Sequence, residues 1–301
     1  MALEDASHDI IADLLNARTG QTLSESRRWR ISSALSGLFR EFGIENVDQL
    51  ACMLERPGEH RLATRVVEAL LNNETYFFRD HAYFSTLANF VLPELAKKRA
   101  ETRKISIWSA GCSTGQEVLS LAMIFCEQPG RWADWTIEIL GTDVSGKAIE
   151  QARTGTYSQF EIQRGISVAQ MLNFFSETPQ GWKVAEKILS MTRFEQRNIL
   201  DFPPAPGRFD LVMCRNCLLY FDPDTRRNAF ERLAGGIASD GFLMLGAGET
   251  VVGQTDRFEP ASCGSAMYVL KAASGSPNAS GNLSPHNALA GGGTFSSGHG
   301  L

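Results

Sequence analysis

The stretch Trp108-Ser109-Ala110-Gly111-Cys112-Ser113-Thr114-Gly115-Gln116-Glu117 decides the fold. It joins the apolar run Ile105-Ser106-Ile107-Trp108, a candidate strand, to Gln116–Cys126, whose apolar residues recur at helical spacing. In an open parallel sheet, ligands bind outside the carboxyl ends of the strands, where such a loop sits. Small residues there let a ligand approach the backbone. The glycines do not fall at the first, third and sixth positions of a dinucleotide loop, and no Lys-Ser/Thr pair follows as in a P-loop. NAD is therefore not expected.

Strand and helix patterns alternate outward from this loop. Ile137–Leu140 predicts a second strand, followed by a helix over Gly146–Arg153. Phe209–Cys214 predicts a third, followed by a helix from Pro223 to Ala238. Phe242–Leu245 predicts a fourth after the turn Ser239-Asp240-Gly241, and Ser265–Lys271 a last one. Such alternation implies an α/β fold with a mostly parallel sheet. The second strand ends in Gly141-Thr142-Asp143. An acid at that place can accept hydrogen bonds from both ribose hydroxyls of a nucleoside, although a loop or N-cap aspartate would look the same. Loop and acid together fit the adenosyl half of S-adenosylmethionine.

Residues 1–72 read as helices only. Ile31, Ala34, Leu35, Leu38, Phe39 and Phe42 form one apolar stripe, stopped by Gly43, and Leu62, Val66, Ala69 and Leu70 form another. Thr22-Leu23-Ser24-Glu25 has the spacing of a capping box. Between Tyr157 and Asn198 the alternation breaks. A helix-like stretch, Val168–Phe175, precedes two strand-like runs, Trp182–Leu189 and Met191–Arg197, which predict a small antiparallel insertion over 157–197. After Lys271 the chain is rich in Gly, Ser, Asn and Pro and nearly uncharged, so 272–301 is expected to be a disordered tail.

Composition bounds the function. A hydrophobic fraction of 43% and a charged fraction of 21% over 301 residues suit a globular chain with a full core. A net charge of -5 argues against a nucleic-acid partner. No apolar run approaches the ~20 residues of a membrane span, the acidic start is unlike a secretory signal, and the six cysteines are scattered. A cytoplasmic protein with no direct membrane insertion is expected. The histidines show no metal spacing and read as surface residues, and no metal is expected. Cys214-x-x-Cys217 has redox spacing, but it lacks a second pair and begins in a buried strand, so structural thiols are expected.

Five segments in order carry a resemblance. Asn72-Asn73-Glu74-Thr75-Tyr76-Phe77-Phe78-Arg79-Asp80 resembles the N-x-T-x-F-F-R signature of CheR-type chemoreceptor glutamate methyltransferases. Trp108–Glu117 resembles their W-S-A-x-x-S-T-G-x-E loop, and Gly141-Thr142-Asp143 their second-strand end. Arg197-Asn198-Ile199-Leu200 resembles their N-L/I-L turn. Cys214–Phe221 resembles their C-R-N-x-x-I-Y-F segment.

The resemblance implies a Rossmann-like methyltransferase domain over 81–271, an N-terminal all-α domain, a linker at 73–80, and an inserted antiparallel β-subdomain. It implies S-adenosylmethionine as cofactor, with S-adenosylhomocysteine as product. By matching position, Asn73, Thr75 and Arg79 would line the methyl-transfer end. Gly111 and Glu117 would contact the amino-acid part, Asp143 the ribose, and Asn198 and Ile199 the adenine. Asn216 and Cys217 would close over the cofactor, and Arg79 and Tyr220 would hold the substrate glutamate. The implied partners are cytoplasmic signalling helices of chemoreceptors, met by a monomer through the β-subdomain and the basic residues Arg27, Arg28 and Arg30, although a solvated face explains those arginines equally well.

There are departures. Gly246-Ala247-Gly248-Glu249 stands where the family has G-H-S-E, and position 217, usually apolar, is Cys. The Ser176–Gly181 loop is shorter than in relatives that dock on a receptor's C-terminal pentapeptide, which implies a pentapeptide-independent member. Two other functions compete: a cofactor-binding sensor or scaffold, and a methyltransferase acting on another substrate. The absence of an N/D-P-P-Y/F motif counts against methylation of bases.

Overall fold

The computed structural model describes residues 2–23, 28–264 and 266–272. Four helices come first: α1 (Ala2–Thr19), α2 (Arg30–Phe42), α3 (Val47–Leu54) and α4 (His60–Leu70). The apolar stripe of α2 buries Ile31, Leu35 and Leu38 against Ile11, Leu50, Leu62 and Val66. Gly43 ends α2 in the left-handed region at φ 67°, where glycine has no Cβ penalty. Ala34 of the expected stripe faces out instead.

Next come α5 (His81–Thr86) and α6 (Leu92–Lys98), joined by a π-helical turn. The large sheet follows with β1 (Lys104–Ala110), α7 (Gln116–Glu127), β2 (Thr136–Asp143) and α8 (Gly146–Thr154). The insertion holds β3 (Thr156–Tyr157), α9 (Gln159–Gln163), α10 (Val168–Phe174), β4 (Phe175–Thr178) and β5 (Gly181–Val184). The chain then returns with β6 (Thr192–Gln196), β7 (Phe209–Cys214), α11 (Pro223–Gly236), β8 (Ile237–Leu245), β9 (Phe258–Pro260) and β10 (Met267–Leu270).

The large sheet has the order β6-β2-β1-β7-β8-β10-β9. It is parallel except that β10 runs antiparallel to both β8 and β9. Every residue of β7 is buried, because such a sheet is covered on both faces. Leu211 and Met213 join the core under α7, while Val212 and Cys214 join Phe230 and Leu233 of α11 on the other side. This is the period-two alternation of a strand. Strand order reverses around β1, whose neighbours are β2 and β7, so the loops after these three strands meet in one crevice.

The α/β class and Rossmann-like architecture agree with the sequence reading; several local expectations do not. Met191–Arg197 is not part of the insertion: β6 pairs in parallel with β2, from Ile139↔Thr192 to Asp143↔Gln196. The run from Trp182 stops at Val184, and Glu186–Leu189 is a helical turn. The missing partner is β4, so the small sheet has the order β3-β5-β4. Ser176–Gly181 is consequently a hairpin whose turn is only Pro179-Gln180. Short apolar runs do not distinguish a parallel edge strand from a hairpin strand, because pairing is a long-range choice.

Ser239-Asp240 lies within β8, at an irregularity in its pairing with β7, rather than in a free turn. Thr22 spends its hydroxyl on the Tyr220 carbonyl, and Ser24 and Glu25 of the expected box lie outside the described residues. So do Arg27, Ser265, His286, His299 and the tail from 273. His60 and His81 are exposed, and His8 is half-buried.

Candidate active site

A crevice opens where the loops after β1, β2 and β7 meet, and polar and apolar side chains line it together. Asn73, Thr75, Arg79, Gly111, Glu117, Asp143, Asn198, Ile199, Asn216, Cys217 and Tyr220 all line it. Five segments scattered over the chain thus converge on one cavity.

Backbone geometry shapes the rim. Ser113 and Asn216 adopt left-handed φ of 50° and 58°, and Phe78 and Asp80, on either side of Arg79, adopt 51° and 59°. Such conformations cost on the order of 1–3 kcal/mol each and persist where surrounding contacts over-determine them. The contacts are present: the Phe78 amide donates to Ser120 Oγ at 3.0 Å, and the Ser113 hydroxyl donates to the Asn73 carbonyl at 2.8 Å. Gly111, at φ 78°, faces Cys217, whose Sγ would lie 3.2 Å from an added Cβ.

Asp143 closes β2 with only 8% of its surface exposed. One carboxylate oxygen accepts the Ser113 amide at 2.8 Å and the other the Ser145 amide at 2.9 Å. Burial pushes this carboxyl above the usual aspartate range, against the lowering effect of those two amides. An ionised carboxylate offers about four acceptor directions, so two amides leave capacity for two ribose hydroxyls.

Glu117 accepts from Ser109 Oγ at 2.8 Å and from Arg215 Nη1 at 3.0 Å. Arg215 also reaches Asp80 at 2.8 Å and the Arg79 carbonyl at 2.9 Å, and its side chain is 1% exposed. Two carboxylates around one guanidinium leave this cluster one negative charge, which complements the ammonium of an amino-acid tail. The buried Asp143 carboxylate and this cluster therefore fit S-adenosylmethionine at its two polar ends.

At the other end, Arg79 donates to the Glu74 carbonyl at 2.9 Å, and its guanidinium lies 5.7 Å from the Tyr76 ring centre. The Tyr220 hydroxyl accepts from Asn72 Nδ2 at 2.6 Å. Gly165 of the insertion packs so closely that an added Cβ would lie 1.8 Å from the Phe77 carbonyl oxygen. Arg164 beside it pairs with Glu74 at 2.8 Å, which holds the Glu74 carboxyl below its usual range. On the adenine side, Asn198 donates to the Arg18 carbonyl at 3.3 Å and accepts from the Leu200 amide.

Three contributions escaped the sequence reading. Arg215 was visible as a cation directly behind an apolar strand, a placement that demands buried partners. Glu249 accepts four backbone amides, from Asn216 and Gly246 on one oxygen and Cys217 and Leu218 on the other, at 2.7–2.9 Å. It therefore fixes the loop that carries Asn216 and Cys217. Thr19, the last residue of α1, and Gln21 beyond it line the same cavity, and no local signal marks them. Cys214 and Cys217 are free thiols; their mutual hydrogen bond and burial push the Cys214 thiol well up, which disfavours a reactive thiolate.

Comparison with known proteins agrees with this geometry. The family model described as CheR methyltransferase, SAM binding domain, matches residues 73–267. A chemotaxis protein methyltransferase of Vibrio parahaemolyticus is 32% identical over 277 residues, covering 90% of this chain and 99% of that one. One from Pseudomonas aeruginosa, chemotaxis protein methyltransferase 1, is 33% identical over 270 residues, covering 87% and 97%. The chain belongs to the CheR methyltransferase family, and S-adenosylmethionine is its cofactor.

Proposed function

We propose that the protein methylates glutamate side chains of chemoreceptors, as a protein-glutamate O-methyltransferase serving chemotactic adaptation. The observation that carries this reading is the convergence of Arg79 and Tyr220 on the same cavity as Asp143 and Glu117. The relatives' names as chemotaxis protein methyltransferases support the substrate class.

The cofactor supplies a methyl group activated on a sulfonium. A glutamate is already ionised near pH 7, given a reference pKa of about 4.3, so the chain needs no general base. Its task is alignment, which can supply roughly 7–11 kcal/mol of a barrier. Asp143, Glu117, Asn198 and Ile199 hold the cofactor's two ends. Asn73, Thr75 and Arg79 line the methyl-transfer end, and Asn216 and Cys217 close over the cofactor. Arg79 presents a planar fork of donors to the incoming carboxylate. Tyr220, oriented by Asn72, fixes which oxygen faces the methyl group. Full neutralisation by a tight ion pair would stabilise the nucleophile before reaction; Arg79, tied to the Glu74 carbonyl, is restrained from closing completely.

The two-residue turn of the β4–β5 hairpin supports pentapeptide-independent docking, and removal of a receptor's C-terminal residues should leave its methylation unchanged. Among the basic residues of α2 and its approach, Arg28 is paired with Asp9 at 2.7 Å, so a docking role there requires that pair to open. Among the described residues no helix is long and apolar enough to cross a membrane, in keeping with action from the cytoplasm on receptor signalling helices.

The test is methyl transfer from labelled S-adenosylmethionine to receptor-rich membranes. Label released as methanol by mild base marks a carboxyl ester. Arg79→Ala and Tyr220→Phe should each lower turnover at least tenfold while S-adenosylhomocysteine affinity changes less. Full turnover in both variants overturns the residue assignment. Cofactor binding without any base-labile label favours the sensor or scaffold reading.

A further inference from the structure

Glu68 is on α4, in the all-helical N-terminal region, and lies outside the cofactor cavity. Its carboxylate nonetheless reaches the cofactor-binding side of the sheet. One oxygen accepts the Ser145 hydroxyl at 2.5 Å, and the other lies 3.3 Å from the Lys147 amide. Ser145 is fully buried. Its hydroxyl accepts from the Ala148 amide at 3.0 Å and so caps α8, while its own amide donates to Asp143 Oδ1 at 2.9 Å. A short relay therefore runs Glu68–Ser145–Asp143, from the helical region to the ribose-side carboxylate.

We propose that Glu68 is a positioning residue for cofactor binding: by accepting the Ser145 hydroxyl's hydrogen bond, it leaves the Asp143 carboxylate to the ribose. The inference rests on the ribose assignment of Asp143. A serine hydroxyl has one proton to give. With Glu68 present that proton points away from the cavity, and Asp143 receives only the backbone amide from Ser145. Without an acceptor at position 68 that proton must turn elsewhere, and Asp143, which already accepts the Ser145 amide, is a charged acceptor on the same loop. An acceptor direction meant for a ribose hydroxyl is then occupied. Glu68 also fixes the start of α8, so the loop Asp143-Val144-Ser145 is held from both sides. Glu68 thereby contributes to the cofactor site from outside the cavity.

Calorimetric titration of the full chain with S-adenosylhomocysteine and with its 2′,3′-dideoxyribose analogue tests this. Glu68→Ala should weaken S-adenosylhomocysteine binding by roughly three- to tenfold, the worth of about one hydrogen bond. Glu68→Gln keeps an acceptor oxygen for Ser145 and should bind nearly as the native chain does. The dideoxy analogue should bind native and Glu68→Ala proteins with nearly equal affinity, because the hydroxyls whose partner is disturbed are gone. Equal weakening of both ligands in Glu68→Ala, with no rescue by Glu68→Gln, would mean a general loss of structure and overturn the proposal. Unchanged binding of S-adenosylhomocysteine by Glu68→Ala overturns it too. A native protein that does not distinguish the two ligands instead overturns the ribose assignment of Asp143, and the inference falls with it.

Discussion

Replacing Glu249 by glutamine probes how the cavity rim is held. Each oxygen of this carboxylate accepts two backbone amides, from Asn216, Gly246, Cys217 and Leu218. A glutamine offers one oxygen and one NH2 group, so two of the four amides lose their acceptor and face a donor. Hydrogen bonds to a charged group contribute about 1.5–3 kcal/mol each, so the two lost bonds correspond to roughly 3–6 kcal/mol. Whichever oxygen becomes the amide nitrogen, the loss falls on the loop that carries Asn216, held at a positive φ of 58°, and Cys217, and that segment should relax away from Gly111. Urea denaturation should show a fall in unfolding free energy of about 3–6 kcal/mol, and titration with S-adenosylhomocysteine at least a tenfold weaker affinity. A stability change under about 0.5 kcal/mol, the scale of an ordinary surface substitution, together with unchanged affinity, would refute the reasoning that this carboxylate positions the loop.

Two further outcomes are expected. Cofactor affinity should fall in mildly acidic solution. Burial raises the Asp143 carboxyl above its ordinary value of 3.8, and ribose hydroxyls prefer the ionised form, so protonation as pH drops through that raised value competes with binding. By the same sign, this raised value favours the unliganded fold fully below the ordinary value of 3.8, and that contribution is lost as pH rises through the raised one. Affinity for S-adenosylhomocysteine that is flat from pH 7 to about pH 4, the ordinary aspartate range, would contradict this. Arg99 donates to Asp210 at 2.6 Å and to Asp240 at 2.6 and 2.8 Å. Asp210 also accepts the Ser106 amide at 2.8 Å. Arg99→Met should lower stability by about 3 kcal/mol in urea denaturation, since it leaves the buried Asp210 carboxylate without its cation; an unchanged midpoint would show that the Ser106 amide satisfies that carboxylate alone.

The sequence by itself determined the class of fold, the places of most strands and helices, and the segments that build the cavity. These are written locally. Periodicity places Phe209–Cys214 as a strand buried on both faces, small residues mark the turn after Trp108, and Asp143 stands at a strand end. Motif resemblance pointed to Asn73, Thr75, Arg79, Glu117, Asn216 and Tyr220 as members of one site, and they share one cavity. Only the tertiary structure decided the partners across long separations. Asn72 meets Tyr220 across 148 positions, Arg215 meets Asp80 across 135, and Glu68 meets Ser145 across 77. The edge strand β6 joined the large sheet rather than the insertion for the same reason. A side chain's periodicity reports which face it occupies, but a buried charge or a strand edge is satisfied by whichever group the folded chain brings to it, and that choice is made by packing the whole domain.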